Sequence, residues 1–204
     1  MISYDQLNAT HADVLKEMAS IGSGNAVTAL AKMLNKKVVM PVPHVDLVDF
    51  NNISDFMGGP ESIVAGVFVA LSGDIRGIMM FILDMNAARC LIESLMGSLQ
   101  SADGNLTDLE KSAIQEIGNI MIGAYIGSLS GLINKTIKPS VPHISIDMAN
   151  AVLSVPAIEF SKVADHALFI KSDFSVDSVD ICGSFFLVPD MPSFESILNA
   201  LGVA

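Results

Sequence analysis

The chain has 204 residues, of which 51% are hydrophobic and 16% charged, with a formal net charge of −11. This is an apolar globular composition, long enough to bury a core and far from that of a disordered chain. With only 11 Lys and Arg, it has no footprint for a nucleic-acid backbone and is disfavoured at an anionic membrane surface; a partner with a basic docking face, or simple solubility, remains.

The N-terminus has neither a basic start nor an apolar run, so a signal peptide is not expected and a cytoplasmic location is. Asn8 is a good N-cap for a first long helix, which should end near Asn35. Residues 38–48 read as a strand with prolines near its start, followed by a loop at Met57, Gly58, Gly59 and Pro60. Residues 63–71 and 75–83 read as further strands, and 87–96 as a short helix. Thr107 and Glu110 form a capping-box pattern that opens a second long helix, expected to end near Asn134. Its stretch 117–133 carries no charge and has glycines at 123, 127 and 131. That spacing can mark a membrane helix. The run is at the short limit for spanning and contains polar residues, so the expectation is a buried helix whose glycines let another element pack close. Strands follow at 137–146, 167–171 and 179–188, then a short helix at 194–201. The acidic stretch 173–180 reads as a solvated turn, and Cys90 and Cys182 as reduced core residues.

Most informative is an internal repeat at an offset of 99. Residues 17–44 align without a gap to 116–143, with nine identities in 28 positions, among them Glu17/Glu116, Gly24/Gly123, Asn35/Asn134, Val42/Val141, Pro43/Pro142 and His44/His143. A weaker echo at an offset of 106 pairs 77–84 with 183–190. The expected fold is therefore α+β: two pseudo-symmetric α-β-β-β-α modules, about 5–100 and 105–204, sharing one largely antiparallel sheet flanked by long helices within one domain.

On the second long helix, Ser112, Glu116, Asn119 and Gly123 fall on one stripe at spacings of four and three. Their repeat mates are Asp13, Glu17, Ser20 and Gly24. A carboxylate and a carboxamide on a rigid face include no strong nucleophile, and no hydrolase triad, zinc motif or phosphate-cradling loop accompanies them. A carboxamide can, however, hold a water in line with a phosphorus atom, and a carboxylate can pair with a partner's lysine. The plainer reading is a solvated helix face. His44 and His143 offer one ligand per module and point to no metal. Asn25 reads as a polar packing residue, and the 12 methionines suit an adaptable core or an interface.

Ser112, Glu116, Asn119 and Pro142 together satisfy a signature: Asp or Ser, three residues, Glu, two residues, Asn, twenty-two residues, Pro. In this the chain resembles the CheC, CheX and FliY chemotaxis phosphatases, CheC most closely. The resemblance implies hydrolysis of the phosphoaspartate of a CheY-type response regulator, which itself supplies Mg²⁺ and a lysine, with no cofactor held by this chain. Asn119 would orient the water, Glu116 would engage the lysine, and Ser112, Gly123 and Pro142 would support or dock. The first copy, Asp13, Glu17, Ser20 and Pro43, keeps the spacing but has Ser for Asn, which implies a weak or silent site. CheD is a further partner implied by the family. The alternative is a non-enzymatic module that binds a regulator, CheD or the flagellar switch.

Overall fold

The structure, a computed structural model, describes residues 8–49, 54–55, 57–98, 105–160, 166–177 and 179–203. The elements run α1 (Ala9–Leu34), β1 (Val38–Val39), β2 (His44–Asp49), β3 (Ile63–Gly73), β4 (Gly77–Asp84), α2 (Met85–Met96), α3 (Asp108–Ile133), β5 (Ile137–Pro139), β6 (His143–Met148), α4 (Ala149–Phe160), β7 (His166–Val176), β8 (Val179–Pro189) and α5 (Met191–Ala200). The ends of the expected modules at residues 5–7, 99–100 and 204, and the stretch 101–104 between the modules, lie outside the described residues.

The local rules repeat with the sequence. α1 and α3 each span 26 residues at an offset of 99. Each begins with a capping box: Thr107 and Glu110 in α3, Asn8 and His11 in α1, where the imidazole Nδ1 takes the place of the carboxylate. Each ends on an asparagine in the left-handed conformation, Asn35 at φ 51° and Asn134 at φ 50°. α2 and α5 are capped by Asp84 and Asp190, the two aspartates of the weaker echo.

All the described strands pair antiparallel in one sheet, in the order β1-β7-β8-β4-β3-β5, with β2 also on β7 and β6 also on β3. The edges are exchanged. Strands following α1 pair with β7 of the second half, and strands following α3 pair with β3 of the first. β4 and β8 join the halves at the centre.

One face of the sheet packs against α1 and α3, with α2 and α5 completing the same apolar cluster. Its closest approaches occur at two glycines. A Cβ at Gly22 would lie 2.5 Å from the Tyr125 ring, and one at Gly118 would lie 2.6 Å from Val67. Tyr125 is fully buried, its hydroxyl has no hydrogen-bond partner among the described residues, and this burial pushes the phenol well above its ordinary pKa. Its ring stacks on Phe185 at 5.3 Å. A second, smaller cluster on the opposite face gathers Val64, Met80, Ile82, Phe169 and Phe186 beneath α4.

Four expectations change. The first strand of each module is two short strands, because prolines near 41–43 and at 142 interrupt the ladder, so each module has four strands. α4 was not expected: its first amides are satisfied by the carbonyls of Ser62 and Pro60 rather than by a capping side chain, so no start signal stands in the sequence. The acidic stretch 173–180 is mostly paired strand, with Asp173 opposite Cys182 and Ser175 opposite Asp180. The glycines at 123, 127 and 131 face open space, and the close packing falls to Gly118 and Gly22. α3 is long and apolar enough to cross a membrane by length and composition; here its apolar stripe lies against α1 and the sheet.

These glycines give opposite expectations on thermal or denaturant unfolding. Gly118→Ala should destabilise by about 2 kcal/mol, because a methyl is forced into Val67. Gly127→Ala should stabilise by roughly 0.5–1 kcal/mol, because only helix propensity changes. Equal effects would refute this account of the helix contact.

Candidate active site

The exposed side of α3 carries the motif. Ser112 and Glu116 are exposed, Asn119 is half-buried, and a Cβ at Gly123 would meet nothing within 4 Å. Asn119 Nδ2 donates to Glu116 Oε2 at 3.4 Å, a long contact, and among the described residues no other hydrogen bond engages its amide group. The glycine beyond them keeps the approach open. The inner side of the same helix, with Ile117, Met121, Ile122 and Tyr125, is buried, which fixes the direction of the outer side chains.

Pro142 is brought to this face by chain geometry. From Asn119 to the helix end at Ile133 is 14 residues, about 21 Å at 1.5 Å each. Asn134 reverses the chain, and the seven steps from Lys135 to Pro142 cover about 23 Å at an extended rise. The interval of twenty-two residues is thus the length of one outward helix run and one extended return. The return is fastened by a bond that the sequence reading missed: Gln115 Nε2 donates to the Pro142 carbonyl at 2.7 Å. Gln115 lies one turn from Asn119 and from Ser112, so the proline loop flanks that side of the motif. The only sequence signal for it was its place between motif residues.

The first face is built alike but differs at two points. Asp13 and Glu17 are exposed, Ser20 is half-buried and Pro43 is buried. Lys16 stands where Gln115 does, exposed, and no hydrogen bond joins it to Pro43 among the described residues. Both the carboxamide and the fastening bond are therefore missing from this copy.

Of the other singled-out residues, Asn25 donates to Ile21 O at 2.9 Å and across the helix pair to Ser128 Oγ at 3.1 Å. His44 Nε2 lies 2.6 Å from Asp46 Oδ2. Cys90 and Cys182 are half-buried rather than core, and both line a cleft of about 480 Å³ with Asp84, Asp173 and Asp180. Burial, then the hydrogen bond that the thiol donates to Asp173, push the Cys182 thiol up to about 11.

The model of the CheC-like family matches residues 11–46 and 109–146, the two long helices with the proline strands that follow them. A Bacillus subtilis protein, CheY-P phosphatase CheC, is 34% identical over the whole of both chains. The flagellar motor switch phosphatase FliY of the same organism is 29% identical over 70% of this chain and 37% of its own length. Among solved structures, Thermotoga maritima FliY superposes with a TM-score of 0.76 at 21% identity, over 96% of this chain and 98% of its own. A chain of the Borrelia burgdorferi CheX–CheY–BeF3–Mg complex superposes with a TM-score of 0.53 at 17% identity, over 84% of this chain and 96% of its own. Full-length identity at this level, with the family match falling on both motif helices, shows that the chain belongs to the CheC-like family.

Proposed function

We propose that this chain is a phosphatase that hydrolyses the phosphoaspartate of a CheY-type response regulator, with Glu116 and Asn119 of α3 as its catalytic pair. The observation that carries the reading is the outward-facing Glu116–Asn119 pair with open space at Gly123. The CheY-P phosphatase named among the full-length relatives supports the substrate class.

The chemistry needs little from this chain. A water attacks the phosphorus as its bond to the aspartyl oxygen breaks, giving phosphate and a free carboxylate. Asn119 accepts from and donates to that water and holds it in line, an advantage of position. Glu116 pairs with a lysine of the regulator and so sets the docking angle. The regulator brings the acyl phosphate and the Mg²⁺ that offsets its charge; this chain supplies no cofactor. Ser112 and Gly123 shape the contact, and Pro142 sets the loop beside it. The reading places the reaction in the cytoplasm, and CheD stands as a second proposed partner on the family resemblance alone. The second reading, docking without catalysis, is favoured for the first face, where Asp13 and Glu17 remain exposed without the carboxamide.

Decay of a phosphorylated receiver domain tests this. Wild type should accelerate it, and Asn119→Ala should lose roughly tenfold to a hundredfold of that acceleration in kcat. Full activity in the variant would remove the pair from the mechanism.

The first face gives a separate expectation in the Asn119→Ala background. Ser20→Asn alone should restore little, whereas Ser20→Asn with Lys16→Gln should restore a measurable rate, since the second change permits a bond to Pro43. Full rescue by Ser20→Asn alone would show that the fastening bond is dispensable.

A further inference from the structure

Eight large hydrophobic residues are exposed among those described, and the two most exposed are Val42 at 84% and Val141 at 75%. They are repeat mates, and each immediately precedes a motif proline. A single exposed valine is ordinary. The same valine at the same register of both halves calls for an account.

The 140–142 loop is held on every side. β5 pairs with β3 just before it and β6 just after it. Ser140 N donates to Ala70 O at 2.9 Å, and Ala70 N donates to Ser140 Oγ at 3.0 Å. Ser140 Oγ in turn donates to Val141 O at 3.0 Å, and the next carbonyl, that of Pro142, accepts from Gln115. The carbonyls of Val141 and Pro142 and the amide of Ser140 are thus engaged, while the apolar Val141 side chain is turned to solvent. A valine has few rotamers to lose, so little entropy opposes its burial by a partner.

We propose that Val141 is an apolar docking contact for the phosphorylated receiver domain, seated against a shallow apolar patch beside that domain's phosphorylation site. The proposal rests on the phosphatase reading, because that reading brings the receiver to this face. The placement favours it: Gln115 ties the loop within one helical turn of Asn119, so a partner that presents its phosphoryl group to the carboxamide covers Val141 too. Such a contact is equally present before and during the chemical step, so it acts on KM and not on kcat. Glu116 supplies the charged part of the surface and Val141 the apolar part.

The experiment measures phosphate release against receiver concentration, with a small acyl phosphate keeping the receiver charged, for wild type, Val141→Ala, Val141→Asp and, as a distant control, Val179→Asp. Affinity for the receiver loaded with beryllofluoride and Mg²⁺ is measured alongside. Val141→Asp should raise KM and Kd by roughly fivefold or more and leave kcat within about twofold; Val141→Ala should raise them by roughly twofold to threefold. Val179→Asp should change neither. Unchanged KM and Kd in Val141→Asp overturn the docking role while the phosphatase reading stands. If wild type binds the receiver without accelerating its decay, the phosphatase reading fails and the Kd values alone decide the role of Val141. If wild type neither binds nor accelerates, both fall.

Discussion

The exchange of edge strands is the constraint on which everything else rests. β5 and β6 have their pairing partner in β3 of the other half, and β1 and β2 have theirs in β7. The loop bearing Pro142 is thus suspended between two stretches of a strand to which its own half contributes nothing. The motif helix, for its part, lies on that same β3, with Gly118 against Val67. A face carried by the second half is therefore given its shape by the first. The proposed chemistry tolerates little displacement of an oriented water, and it is placed on a helix whose inner side is buried in the shared core.

That placement explains how so few reactive groups can suffice. The side chains proposed to act are an exposed carboxylate and a half-buried carboxamide. Burial raises the pKa of two groups away from this face, Tyr125 inside the helix contact and Cys182 in a cleft lined by aspartates. In the proposed reaction the charge to be stabilised belongs to the partner and its Mg²⁺, so this chain has no need of a titrating group tuned by burial. It needs a fixed hydrogen-bonding group and a surface that admits a second protein.

Much of this was legible in the sequence. The capping residues at 8, 107, 35 and 134 are local signals, and they placed both long helices. The repeat announced the symmetry, and the signature selected the stripe later seen on the exposed side of α3. What stayed hidden was nonlocal. No residue type marks that Gln115 reaches the carbonyl of a residue 27 positions on, nor that α4 starts on the carbonyls of Pro60 and Ser62. The glycines misled for a related reason. A glycine spacing tells which side of a helix is bare, not what stands opposite, and at 123, 127 and 131 nothing does. Gly22 and Gly118, which allow the close approaches, stand in no such series.

The exchanged strands give the molecule the geometry of a domain-swapped dimer whose two subunits have been joined into one polypeptide. In a dimer of identical subunits, every substitution is made twice, and a face that loses its carboxamide is lost on both sides. Joined in one chain, the halves are released from that tie. One half carries Lys16 and Ser20 where the other carries Gln115 and Asn119, and its strand β3 still holds the other in shape. The second can acquire α4, for which the first shows no counterpart among the described residues. Scaffolding and chemistry, which a symmetric assembly must house in every copy, become separable duties of two halves.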